Sequence, residues 1–141
     1  MRSIVVGTDG SAGAETAVRW TIDLARGRDA SVCLVSAFPG AESLSEPLAG
    51  TARQERVRLV DVAEELLART AREFADAGIP VETESREGDP AAVIIAVAEE
   101  RDADLVVVGA RGETALRRFL LGGVAGKLVH HAPHSVLIVR D

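Results

Sequence analysis

Aromatic side chains are scarce in this sequence: there is no tyrosine, one tryptophan and three phenylalanines. Single-stranded nucleic acids are held on stacked rings, so that mode of binding is disfavoured. Cysteine is scarcer still. Cys33 stands alone, so no intramolecular disulfide can form and a reducing, cytoplasmic setting is expected. Its neighbours, Val32 to Val35, mark it as a small core residue rather than a redox centre. No apolar run approaches the roughly 20 residues of a membrane-spanning helix. The opening MRSIVVGTDGS enters a strand directly, without the long apolar stretch of a secretory leader. Positive charge is in deficit, with 16 Lys and Arg against 22 Asp and Glu and a pI near 5.1, which argues against DNA or RNA as the main partner. The remaining composition, 47% hydrophobic and 27% charged, is that of an ordinary globular chain. Residues 1–141 are expected to form one domain that buries roughly two-thirds of its unfolded surface.

One stretch organises what is present: Leu105 to Val129, LVVVGARGETALRRFLLGGVAGKLV. It opens with an apolar run, Leu105 to Val108, of the kind buried on both faces of a sheet. Gly109 and Gly112 follow at once, and a second pair, Gly122 and Gly123, precedes what looks like a helix start. Glycine turns after a strand and before a helix can converge their N–H groups on an anion, and the helix dipole adds to the attraction. Arg111, Arg117, Arg118 and Lys127 stand against Glu113, a local net charge of +3 in a chain of −6. A basic island on an acidic protein points to an anionic ligand.

In chain order, Ser3–Val6 is a strand ending at Gly7-Thr8-Asp9-Gly10, and Ser11 caps a helix with Ala14, Ala17, Val18, Thr21, Leu24 and Ala25 on one face. Gly27 ends it. Ser31–Ala37 is the second strand. Residues 41–51 carry no period and read as a flexible, exposed loop. A long helix spans Ala52–Ala77, with Val60, Ala63, Leu67, Ala71 and Phe74 at helical spacing and Gly78 as its stop. Val81–Arg86 alternates weakly and suits an edge strand. Asp89 as cap and Pro90 at the first helical position begin a buried helix to Arg101. A central strand, Asp104–Val108, the glycine region, a helix over Gly122–His131 and a last strand over Ser135–Val139 complete the chain. His130, His131 and His134 straddle that last helix end, where favourable dipole interaction explains them better than a metal.

The alternation predicts an open, five-stranded parallel sheet, doubly wound with right-handed crossovers. In the Rossmann-like order 3-2-1-4-5, the winding reverses between the first and fourth strands, where ligands of such sheets sit. This order brings Asp9 beside the glycine region, with its carboxylate placed to accept from ribose hydroxyls. A simple turn role for Asp9 is the alternative. The glycines, too, have a plainer role open to them, as strand termination and helix packing without a ligand.

Three motifs together resemble the universal stress protein family: Gly109-x-x-Gly112 with Gly122 after nine further residues, the opening Ile4-Val5-Val6-Gly7-Thr8-Asp9-Gly10-Ser11, and the ending His130-His131-Ala132-Pro133-His134-Ser135-Val136-Leu137-Ile138-Val139-Arg140. The resemblance implies the 3-2-1-4-5 sheet, a homodimer paired through Ser135–Arg140, and, as in many members though not all, ATP as ligand with Mg²⁺ or Mn²⁺. Carried over by position, Gly7, Thr8 and Asp9 would lie near the ribose and Ala37 would offer backbone to the adenine. Gly109, Arg111, Gly112, Gly122, Gly123 and Val124 would surround the phosphates, with Val108 in the same binding set. The ATP-binding form of the motif carries Ser or Thr where this chain has Gly123, and a further hydroxyl where it has Ala125. Loss of one hydroxyl bond to a charged phosphate costs about 1.5–3 kcal/mol, a roughly ten- to hundredfold weaker affinity.

The leading expectation is therefore an adenine-nucleotide-binding, regulatory stress-response module. One rival is a family member that binds no nucleotide and works through dimerisation or partner contacts, favoured by Gly123 and Ala125. The other is a weak ATP hydrolase. The chain has no GxxxxGK[ST] phosphate loop and no SGGxDS loop, so slow hydrolysis at most is expected. The dimer has its own basis: Val136–Val139 is a hydrophobic strand with little to blunt its edge, and pairing with its twin across a two-fold axis would cover it.

Overall fold

Strand blocks alternating with helices, two of which are capped by Ser11 and Asp89, produce the expected winding. The computed structural model describes residues 1–40, 52–111 and 121–141. Along it run β1 (Ser3–Gly7), α1 (Ala12–Ala25), β2 (Ser31–Phe38), α2 (Ala52–Asp76), β3 (Val81–Glu87), α3 (Pro90–Glu100), β4 (Leu105–Gly109), α4 (Gly123–His131) and β5 (Val136–Val139). The strands form one parallel sheet of order β3-β2-β1-β4-β5. The loop expected at 41–51 lies outside the described residues, as do Gly112, Arg117 and Arg118.

Period-two alternation divides the core in two. Ile4, Val6, Val32, Leu34 and Val107 pack with Ala17, Val18 and Ile22 of α1 and Leu67 and Phe74 of α2. Val5, Cys33, Val35, Val106 and Val108 point the other way, onto Val93, Ile94 and Val97 of α3 and Ala125 and Leu128 of α4. Cys33 is a buried core thiol, pushed up to about 11 by burial, with Arg101 pulling the other way. On α1 it is Ile22, not Leu24, that completes the buried face. The strand expected to be central occupies an inner position between β1 and β5; the middle of the sheet is β1. It starts at Leu105 rather than Asp104. The Asp104 carboxylate instead accepts from the N–H groups of Arg2 and Ser3 at 2.7 and 2.9 Å, and these bonds hold it below the usual carboxylate range. β3 is an edge strand, as its weak alternation suggests, and β5 is the other edge.

Close backbone approach fixes the carboxyl end of the sheet. A Cβ on Gly13, in the first turn of α1, would stand 2.5 Å from the Arg111 carbonyl oxygen. One on Gly109 would stand 2.7 Å from the Gly13 backbone. The two glycines interlock, and α1 settles against the end of β4. Gly13→Ala is expected to destabilise the fold by about 1–3 kcal/mol through overpacking. Gly126→Ala in α4, where nothing lies within 4 Å of an added Cβ, should instead stabilise it by roughly 0.5–1 kcal/mol. Urea denaturation checks these opposite signs; a Gly13→Ala protein as stable as the parent would contradict the interlock.

Candidate functional site

A cavity of about 560 Å³ of open space lies at the carboxyl ends of β1 and β4, where the winding reverses. Val35 and Ala37 of β2, Pro90 and Ile94 of α3, Val108 of β4, and Val124 and Ala125 of α4 supply an apolar wall. Thr8, Asp9, Ser11 and Arg111 supply polar groups. A Cβ on Gly7 would come within 2.6 Å of Ile94 Cδ1, the end of a side chain that lines the same cavity.

The loop after β1 is held by its own side chains. Thr8 N–H donates to the Val35 carbonyl at 2.9 Å, and Thr8 Oγ1 accepts from Gly10 N–H at 3.2 Å. Asp9 Oδ1 accepts from Ser11 N–H at 2.9 Å, the turn role its neighbours allow. Ser11 Oγ in turn accepts from Ala14 N–H at 3.2 Å and caps α1. Gly10 takes the left-handed conformation this turn requires, with φ of +81°. The Asp9 carboxylate is thus presented at a fixed position on the exposed side of the cavity.

α4 begins differently. Gly122 is its N-cap and gives no side-chain cap bond, whereas α1 and α3 are capped by Ser11 and Asp89. The first bond of the α4 ladder runs from Gly126 N–H to the Gly122 carbonyl at 2.9 Å. The N–H groups of Gly123, Val124 and Ala125 therefore have no acceptor within the helix, and two of these residues line the cavity. Gly122 contributes no such donor, because its N–H goes to the Ala110 carbonyl at 2.7 Å.

The basic island is largely neutralised where it is described. Arg111 Nη2 lies 3.0 Å from Asp141 Oδ2, and Lys127 Nζ lies 2.8 Å from Asp89 Oδ1. The Lys127 bond, then that from Ala92 N–H, holds the Asp89 carboxyl below its ordinary value. A count of charges along the sequence cannot register these partners, which come from β3–α3 and from beyond β5. The surplus positive charge inferred for this region is therefore not a free one at Arg111 and Lys127.

Of the residues singled out from sequence, Gly7, Thr8, Asp9, Ala37, Val108, Gly109, Arg111 and Val124 meet around this one cavity. Gly122 and Gly123 stand just outside its lining, and Gly112 lies outside the described residues. Sequence reasoning passed over Pro90 and Ile94. Their signal was the Asp89-Pro90 helix start, which had to fall at the same carboxyl end of the sheet. Ser11, the cap of α1, lines the cavity as well.

Comparison with known proteins identifies relatives by sequence and by fold. The universal stress protein family model matches residues 1–140. Universal stress protein MJ0531 of Methanocaldococcus jannaschii is 32% identical over 139 residues, covering 99% of this chain and 82% of the relative. The fold matches the solved structure of hypothetical protein MJ0577 with a TM-score of 0.88 at 24% identity, over 99% and 96% of the two chains. A universal stress protein solved in complex with cAMP matches with a TM-score of 0.70 at 26% identity, over 98% and 95%. On its sequence match and its 3-2-1-4-5 sheet alike, the chain belongs to the universal stress protein family.

Proposed function

We propose that the cavity between the β1 and β4 loops binds an adenine nucleotide, with ATP as the fullest ligand, and that the protein acts as a regulatory binding module of the stress response. The observation that carries this reading is the pairing of an apolar wall with a fixed carboxylate, Asp9, in a cavity at the reversal point of the sheet. A nucleoside suits that combination: the base takes the apolar side near Ala37, and the ribose hydroxyls donate to Asp9. The phosphates would meet the N–H groups at the start of α4, where dipole and donors favour an anion. The cAMP complex of a family member lends support. Gly123 leaves the phosphate end without a hydroxyl, so binding should be weaker than in a site that has one.

Titration calorimetry with ATP, ADP and adenosine, in the presence of Mg²⁺, tests the reading. Saturable binding below millimolar ligand is expected, and a folded protein giving no heat at millimolar nucleotide would overturn it. Asp9→Ala should weaken adenosine and ADP alike, roughly ten- to hundredfold, by removing a charged acceptor. Asp9→Asn keeps the acceptor for Ser11 N–H and separates loss of charge from loss of the turn.

Gly123→Ser supplies the missing hydroxyl at a position where nothing lies within 4 Å of an added Cβ. It should tighten ATP roughly ten- to hundredfold and leave adenosine unchanged. A second reading, a module that binds no nucleotide, is favoured by the paired Arg111 and Lys127. Mass spectrometry of ligand released from the purified protein separates the two.

The protein is further proposed to dimerise along β5. That strand has a neighbour on one side only, and its Val136, Leu137 and Ile138 remain half-buried in the single chain. Sedimentation at micromolar concentration should show a dimer; a monomer would contradict this interface.

A further inference from the structure

We propose that Asp141 is an affinity-determining residue of the cavity: its carboxylate holds Arg111 in competition with the anionic part of a bound nucleotide. The inference rests on the nucleotide reading above. It begins with strand register. β4 and β5 pair Gly109 with Val139, and Ala110 N–H donates to the Val139 carbonyl at 2.8 Å. Two residues further along each parallel strand, Arg111 and Asp141 come side by side, with Nη2 and Oδ2 3.0 Å apart.

A second contact fixes where that carboxylate sits. Asp141 Oδ1 is 3.9 Å from the point where a Cβ on Gly13 would stand, beside the first turn of α1. A guanidinium and a helix N-terminus both attract negative charge, and Asp141 lies against both. It occupies a place that suits an anion, on an arginine that lines the cavity.

The pair is displaceable. The two side chains are 35% and 42% exposed, and exposed ion pairs of this kind are weak. An anionic ligand reaching Arg111 must separate it from Asp141, whereas an uncharged nucleoside leaves the pair intact. Asp141 thus lowers affinity for the charged ligand without touching the base or ribose positions.

Asp141→Asn keeps the shape and removes the charge. At low ionic strength, calorimetry should show ADP binding roughly two- to fivefold tighter in Asp141→Asn, the size expected for release of one exposed pair. Adenosine affinity should be unchanged, and added salt should shrink the ADP difference. In an Arg111→Gln background the substitution should have no effect on ADP. Thermal melting of each variant verifies that it is folded. If both ligands bind and Asp141→Asn leaves ADP unchanged, weakens it, or tightens adenosine equally, competition is overturned while the nucleotide reading stands. If neither ligand binds the parent protein or the variant, both fall.

Discussion

The site depends on how closely the first turn of α1 can approach the end of β4. Gly13 and Gly109 have no Cβ, and an added one on either would lie 2.5–2.7 Å from the backbone of the opposite segment. Gly7 lies close to Ile94 on the other side of β1, against the end of a side chain rather than against backbone. These contacts set how closely α1 and α3 lie on the sheet, whose strands are spaced by their own hydrogen-bond ladder. The loop after β1 and the loop after β4 consequently face each other across a gap with a definite width. Packing density does not leave room for a methyl group at such points. A glycine motif that looks made for a ligand therefore has a structural requirement of its own, and at Gly109 that requirement is the close approach of Gly13.

Charge tells a similar story in the opposite direction. Cations concentrated along Gly109–Lys127 look poised for an anion, yet the fold gives Arg111 and Lys127 each an acidic partner. Both pairs are partly exposed, so they add little to stability and are open to exchange. What remains constant is the backbone: the start of α4 lacks a side-chain cap and carries its dipole regardless of those pairs. On this account the base and ribose ends supply a stable part of recognition. In the proposed complex the phosphate end would be graded by Gly123, by Asp141 and by solution ionic strength.

Much of this arrangement was legible in the residues. β-branched runs between helical periods were enough for the winding, and the class order put Asp9 opposite Gly109. Helix starts marked by a cap followed by proline or alanine, at Asp89 and Ser11, were also plain, because capping is a local interaction. What escaped was long-range. Ile94 in the cavity wall, Gly13 against Gly109, and Asp141 on Arg111 are contacts between segments far apart in sequence, and no periodicity encodes them. The choice of Leu24 over Ile22 on α1 had the same origin: the neighbours that bury Ile22 belong to other elements. The Gly122 N–H donates to the Ala110 carbonyl, a contact across the sequence that no local pattern announces.

The central claim is one of place: an adenine nucleotide occupies the cavity between the β1 and β4 loops. Mapping backbone amide shifts on adding ADP tests it most directly. The account predicts saturating shifts at Gly7, Thr8, Ala37, Gly109, Val124 and Ala125, with little change along α2 and β3. Shifts confined to another face of the sheet, or none at millimolar ADP in the folded protein, would contradict it.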